Sequence, residues 1–405
     1  MIAFRVLVLC TAFILLPASA RAADPAFQQW LQSLWPDAQK LGVSRATFEA
    51  AIRGLEPDLS LPDLVIAGRP EKAAPGQPEF VQTPADYLKE ASLARLAAQG
   101  RKLAAEHGAT LAAIEKQFGV PSSIVLAIWG RETAFGGYKL PNDAIRVLAT
   151  QAYTGRRKDF FRGEFLSALR MLQDGIPRAT MRSSWGGAMG LTQFLPGEFY
   201  KYAVDFDGDG RADIWNSVPD ALASAAKQLA GKGWQRGKAW AYEVRVPRGA
   251  DCTIAEPDVT MPVGEWIKRG FVPARARLSA AELAETASLL MPEGLQGPAF
   301  LTPRNYFVLK DYNFSDLYVL FVGNLADRIA GGGPFATPWT RTSQLATSQL
   351  EAIQRVLTDR GFYREKIDGK AGMKTRSALG AYQKANGLAV DCWPGPAVLE
   401  QMRLR

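Results

Sequence analysis

The chain has 405 residues, with 48 Lys and Arg, 40 Asp and Glu, one histidine and a formal charge of +8. That length exceeds one ordinary core and predicts two or three domains. The mild charge, without a dense Lys/Arg run, argues against a nucleic-acid partner. Any Ser/His/Asp triad or His-rich zinc site would have to use His107, which its polar stretch RKLAAEHGATL predicts to be a solvent-facing helical residue.

The first residues, MIAFRVLVLCTAFILLPASARA, have an early Arg, an apolar stretch from Val6 to Leu16 and a small-residue ending, Ala20-Arg21-Ala22. This is the pattern of a secretory signal peptide over 1–22, too short to span a bilayer. Cys10 follows Leu9 rather than a small residue, which argues against a lipoprotein anchor. Without Arg5 and Arg21 the 48 basic residues become 46 against 40 acidic. No later segment is apolar for long enough to form a transmembrane helix, so the mature protein is expected to be soluble and exported. Two cysteines survive cleavage, Cys252 and Cys392, and an oxidising compartment would allow them to pair; sequence leaves that pairing open.

Residues 26–56 read as helical, and 68–87, rich in Pro and polar residues, as an extended wrap or loop. From Tyr87 to about Gly233 the pattern is helical with Gly-rich interruptions. Short alternation in WAYEVRVP (240–247), AETASLLMP (284–292) and NYFVLKDYN (305–313) predicts a strand-rich insert at 240–312. SDLYVLFVGNLADRIA then reads as a helix capped by Ser315. GGGPFATPWTRTSQ (331–344) has linker composition, and 345–405 reads as a small helical module. The predicted class is mainly α with a small β-rich insert: a catalytic region over 23–330, the linker, and the C-terminal module.

Chemistry enters at PSSIVLAIWGRET (121–133). Helical spacing puts Val125, Ile128 and Trp129 on one apolar face, and the next slot on that face is Glu132. A carboxyl there is poorly solvated when charged, so its pKa is expected to rise above about 4.3 and let it act as a general acid near neutral pH. The competing reading is a helix-end Glu paired with Arg131. A second stretch, SSWGGAMGLTQFLP (183–196), weighs against that. Gly186, Gly187 and Gly190 allow close approach of a chain or ligand, and Ser184 and Gln193 supply uncharged hydrogen-bonding groups. It lacks the Gly-Lys-Ser/Thr ending of a phosphate loop. Neutral polar groups around one acid suit a sugar substrate.

These stretches resemble the lytic murein transglycosylase B family, whose catalytic core is lysozyme-like. The matching motifs, in the family's order, are IWGRETAFG, SSWGGAMGLTQFLP, YAVDFDGDGRADIW and NYFVLKDYNFSDLY. The resemblance implies that Glu132 is the catalytic acid and base. It also implies that Ser184 and Gln193 line the subsite next to the cleaved bond, that Tyr312, Asn313 and Tyr318 stand opposite, and that Tyr87 is a further sugar contact. Lys227-Gln228 depart from it where many members have Asn-Tyr, so one sugar-stacking aromatic is absent. The implied reaction uses a single carboxyl. The 6-hydroxyl of N-acetylmuramic acid attacks its own ring and leaves a 1,6-anhydro end, so no second carboxylate is needed. No cofactor is required for that chemistry. The implied partner is the peptidoglycan glycan strand, together with cell-wall synthesis or assembly machinery, in the periplasm of a Gram-negative envelope.

Two alternatives remain open at this stage. A hydrolytic muramidase on the same fold would need a second carboxylate, for which Asp143, Glu164 and Glu198 are candidates. A non-catalytic, calcium-stabilised wall-binding protein would share the wall partner without the chemistry.

In DFDGDGRADIWN (205–216), Asp205, Asp207, Asp209 and Gly210 fit positions one, three, five and six of a calcium loop, with Arg211 at seven and Asp213 at nine. Asn216 replaces the bidentate Glu at twelve. The resemblance implies that Asp220 closes a longer loop, and that a bound Ca²⁺ is structural.

Residues 343–402 resemble the peptidoglycan-binding domain type 1, through Leu350, Ile353, Gln354, Leu357, Gly361, Asp368-Gly369, Gly372, Thr375, Ala378, Tyr382, Gln383 and Gly387-Leu388. The resemblance implies a wall tether on a flexible linker.

Overall fold

The computed structural model describes residues 24–66, 78–275, 277–340 and 342–404. The signal peptide and most of the expected wrap lie outside them. Four apolar cores organise the rest. Among the described residues, no single helix is long and apolar enough to cross a membrane.

The first core joins Pro25–Ser33, Trp35–Lys40 and Arg45–Ile52 to the helices Ala144–Thr154 and Lys158–Gln173, around Phe27, Phe48, Phe161 and Phe165. Asp24 and Ser44 cap two of these helices with side-chain oxygens, as their positions before apolar repeats require. The second core holds the helices Glu90–Glu106, Gly108–Phe118, Ser122–Thr133, Val218–Gly231, Arg304–Lys310 and Asp316–Ile329. At its centre lies Ser122–Thr133, packed against Asp316–Ile329, Glu90–Glu106 and Val218–Gly231.

That central helix differs from the single apolar face expected of it. Every residue from Ile124 to Gly130 is buried, so the helix is surrounded and Glu132 stands at its C-terminal end. His107 also departs from expectation: it is the junction between two helices, half-buried, with its ring 6.4 Å from Trp129.

The insert is a five-stranded antiparallel sheet in the order Thr260–Pro262, Thr286–Leu290, Ala299–Thr302, Tyr242–Arg245, Val272–Pro273. Its third core forms around Trp266 and Phe271. NYFVLKDYN, read as strand-like, is instead the helix Arg304–Lys310. Asn305, Val308 and Leu309 are buried at helical spacing, and Tyr306 joins the second core. The wrap ends as two short helices, Pro78–Val81 and Pro84–Tyr87.

The C-terminal module is built from Thr347–Asp359, Met373–Ala385 and Pro396–Gln401 around Leu350, Ile353, Leu357 and Leu379. It is docked, which corrects the expectation of a flexible tether. Cys252 and Cys392 form a disulfide between the sheet lobe and the module, with Cα atoms 6.2 Å apart. Gly380 makes room for it, since a Cβ there would meet the Cys392 sulfur at 2.2 Å. Ser377 donates to the Thr253 carbonyl at 2.6 Å, and Arg376 pairs with Asp316, both buried. Burial alone would raise the Asp316 pKa, but Lys310 and Arg376 outweigh it and hold the group at about 2.

The described residues of the 331–344 connection are laid against the protein for a physical reason. Phe335 packs on Phe300 with centroids 4.9 Å apart, and Glu243 accepts the Ala336 and Thr337 N–H groups at 2.8 and 2.7 Å. Glu293 accepts from the Thr340 N–H and hydroxyl, both at 2.9 Å.

Candidate active site

The Glu132 helix ends abruptly. Ala134 and Phe135, followed by Gly136, adopt left-handed backbone at φ 49, 58 and 79°. The turn is therefore made by two non-glycine residues before the Gly136-Gly137 pair. Strain of this kind persists only where packing enforces it. Here the Phe135 ring stacks edge-on with Trp129 at 5.5 Å and fills the space over Gly130, where a Cβ would meet the ring at 2.6 Å.

The Glu132 side chain is half-buried, with protein on most sides and an opening to solvent. Its Oε1 accepts from the Tyr318 hydroxyl at 2.5 Å. Burial is the dominant influence and pushes the pKa above the usual 4.5, while the Arg131 charge and the Tyr318 bond pull the other way. Arg131 is not its hydrogen-bonded partner. The guanidinium donates to the Tyr87 hydroxyl through Nε at 2.9 Å and a terminal nitrogen at 2.5 Å, and lies over the rings of Tyr87, Phe321 and Tyr318. The helix-end ion pair weighed from sequence is thus replaced by an Arg–Tyr contact.

Tyr318 and Tyr312 are parallel, with ring centroids 6.5 Å apart. The Tyr312 hydroxyl donates to the Thr192 carbonyl at 2.6 Å, so this wall reaches across to the glycine-rich loop. In that loop Gln193 takes φ 58° and donates to the Gly190 carbonyl at 3.0 Å. Ser184 Oγ accepts from Ala188 N–H at 3.3 Å. Gly187 and Gly190 are required by contact with protein. A Cβ at Gly187 would meet Leu148 at 2.3 Å, and one at Gly190 the Ile214 carbonyl at 2.7 Å. Thr133 locks the loop to the Glu132 helix by donating to the Leu191 carbonyl at 2.8 Å.

Tyr87 is buried, 7% exposed, beneath Arg131. Asn313 donates through Nδ2 to Glu79 at 3.3 Å, and its Oδ1 accepts from Ser315 N–H at 3.1 Å. Gln228, in place of the expected aromatic, donates to Glu198 at 2.8 Å. The rival carboxylates are engaged elsewhere. Asp143 binds Arg178 at 2.6 Å, Glu164 accepts Gly197 N–H at 2.7 Å, and Glu198 is held by Gln228 with Lys201 and Lys232 nearby.

The acidic loop stands behind this wall. The ligand oxygens of Asp205, Asp207 and Asp209 lie within 4.8 Å of one another, all exposed. Asp220 is fully buried, with Oδ1 accepting from Phe206 and Asp207 N–H and Oδ2 from Asp213 N–H. The loop reaches the site through Ile214, whose carbonyl accepts from Leu191 N–H at 2.9 Å.

A half-buried acid on a helix end, a tyrosine pair and a glycine-rich polar loop set the comparison with known proteins. The sequence profile of the transglycosylase SLT domain matches residues 26–327. The chain belongs to that family. A peptidoglycan-binding domain profile matches residues 347–402. The membrane-bound lytic murein transglycosylase B of Escherichia coli K12 is 37% identical over 220 residues, covering 53% of this chain and 58% of that protein. SltB3 from Pseudomonas aeruginosa, solved with NAG-NAM-pentapeptide, superposes with TM-score 0.84 at 39% identity, covering 93% of this chain and 99% of that one. Its complex with NAG-anhNAM-pentapeptide gives TM-score 0.82 at 38% identity with the same coverage. The soluble lytic transglycosylase SltB1 of the same organism gives 0.61 at 27% identity over 76% of this chain and 99% of that one.

The sequence pattern missed Glu79, Arg131 and Thr192 as parts of the site. Glu79 lies in a Pro-rich stretch with no periodicity. Arg131 carries a signal only as the charge beside Glu132, and Thr192 acts through its carbonyl, which no side-chain motif reports.

Proposed function

We propose that the protein cleaves the β-1,4 bond between N-acetylmuramic acid and N-acetylglucosamine in peptidoglycan, without water, with Glu132 as the single acid and base. The observation that carries this reading is the half-buried Glu132 carboxyl, whose pKa is pushed up and of whose two oxygens only Oε1 is engaged among the described residues, by Tyr318. Oε2 is then free to hold the acidic proton. In the first half of the reaction that proton passes to the glycosidic oxygen, the C1–O4 bond breaks and N-acetylglucosamine departs. In the second half the carboxylate takes the proton of the muramic 6-hydroxyl, and O6 bonds to C1. The acid is regenerated, and no atom of water enters. The ring's own hydroxyl has a high effective concentration, so the step needs no second carboxylate.

Support for the anhydro product over hydrolysis comes from two sides. Asp143, Glu164 and Glu198 have other partners, and the similar SltB3 has been solved with an anhydro-muramic ligand. Ser184, Gln193, Tyr312, Asn313 and Tyr318 would line the sugar path. Tyr87, under Arg131, would act by holding that cation rather than by meeting sugar. The C-terminal module would bind wall as a docked extension of the catalytic region, and the leader would deliver the protein to the periplasm.

The Asp205–Asp207–Asp209 oxygens make an all-oxygen donor set that suits a hard divalent cation such as Ca²⁺, and by the loop pattern the Arg211 carbonyl would be a further donor. Asp220 would close the site from within by tying both ends of the loop. Bound there, the ion would offset the loop's negative charge and brace Ile214 behind the glycine-rich loop. A melting curve unmoved by millimolar calcium and by chelator would count against that ion.

The test of the main reading is mass spectrometry of purified sacculi digested with the protein. Products lighter by one water than the hydrolytic ones are expected. Hydrated reducing ends would favour the muramidase, and no soluble fragments would favour the non-catalytic wall binder.

A further inference from the structure

The short helix Pro78–Val81 carries a carboxyl that the mechanism does not use. Glu79 is 8% exposed and has no cationic partner among the described residues. Its Oε1 accepts from Asn313 Nδ2 at 3.3 Å, and its main-chain oxygen accepts from Ser315 Oγ at 3.4 Å. Ser315 caps the helix that presents Tyr318 to Glu132. The next residue, Phe80, faces the C-terminal module, with Lys370 Nζ 3.9 Å from its ring centroid. Both residues line a cleft of about 470 Å³ between the catalytic region and the module. The segment is therefore held from two sides, with its acid turned toward the site.

We propose that Glu79 is a positioning residue for the catalytic centre: its carboxylate sets which way the Asn313 amide faces and places a second negative charge near Glu132. The inference rests on the reading of Glu132 as the acid. A carboxylate only accepts hydrogen bonds, so it draws the amide nitrogen of Asn313 toward itself, while Ser315 N–H holds the amide oxygen. One N–H of Asn313 stays free, and the residue meets substrate as a donor. The charged and titratable groups around Glu132 are Arg131 on its own helix, Tyr318 from the helix opposite, Tyr312 across the wall, Tyr87 beneath Arg131, and Glu79. Of these, Glu79 repels the carboxylate form and so helps keep the proton on Glu132 before the bond breaks.

The experiment compares kcat and KM against pH for wild type, Glu79→Gln and Glu79→Asp on soluble glycan strands, with melting curves for each. Glu79→Gln removes the charge. The alkaline limb of kcat should move to lower pH by about 0.5 to 1 unit, and KM should rise as the Asn313 amide loses its fixed orientation, because a Gln at 79 can donate as well as accept. Glu79→Asp keeps the charge but draws it one methylene back, so its limb should stay with wild type while KM rises. A correctly melting Glu79→Gln with wild-type limb and KM would overturn the proposal. Should that variant fail to fold, Glu79→Asp decides, and a wild-type KM there would overturn it equally. Glu132→Gln and the wild-type digest separate the two failures. Retained cleavage by Glu132→Gln would sink both readings, whereas unchanged Glu79 variants beside an active, anhydro-forming wild type would sink only this one.

Discussion

The C-terminal module holds a buried amide and the Glu132 helix a half-buried acid, and they treat these side chains in opposite ways. In the module, Gln354 is fully buried and fully used. Its Nε2 donates to Asp368, Lys370 and Thr375, and its Oε1 accepts from the N–H groups of Asp368 and Gly369 at 2.9 Å each. In the catalytic region, Glu132 receives one hydrogen bond and keeps an oxygen in hand. A satisfied polar network holds a loop in place; a half-buried acid with one oxygen free of protein partners among the described residues is open to a ligand. The contrast separates a structural motif from a chemical one, although both stand out equally in the sequence.

The sharpest way to break that contrast is Glu132→Gln, which keeps shape and removes the proton. Release of soluble fragments should fall by at least about 10²-fold, with melting and wall binding little changed. Retained turnover would remove the role of Glu132. Next in size is the pair Cys252→Ser with Cys392→Ser. It should cost about 2–4 kcal/mol of stability in the docked form, read by denaturant melts, while cleavage of short soluble strands survives. Gln354→Leu should destabilise the module by about 1–3 kcal/mol, because the Asp368 and Gly369 N–H groups lose their acceptor. Its signature is lower wall affinity with unaltered chemistry on soluble strands.

The smallest expected effect is a displacement of the pH profile. Glu132 must begin protonated, and its folded pKa lies above 4.5, so turnover should fade as pH rises through that folded value. The Tyr318 bond lowers the pKa by stabilising the carboxylate. Tyr318→Phe should therefore raise it further and carry the alkaline limb of kcat upward by about one pH unit. A limb moving downward would mean that Tyr318 does not donate to Glu132.

Much of the fold was legible because its signals are local. The motif order located Glu132, the glycine-rich loop and the tyrosine pair, and the strands at 242–245 and 286–290 followed from alternation. Residues 304–310 misled because Tyr306 to Leu309 form a short unbroken apolar run, and only tertiary burial decides its period. Contacts distant in sequence were harder still. Pairing of Cys252 with Cys392 was left open, because nothing in their spacing states that two lobes meet. The linker composition of 331–344 gave no hint that Phe335 and the acceptors Glu243 and Glu293 would pin it. Glu79 was invisible for the same reason, since its meaning comes from Asn313, 234 positions away.

The most direct test of the central claim is digestion of sacculi in water enriched in oxygen-18, with the label sought at C1 of the released muramic acid. Closure of the ring by its own hydroxyl predicts anhydro ends that carry no label. Label at C1 in the initial products would show that water, not the sugar, attacks, and would contradict the single-carboxyl mechanism.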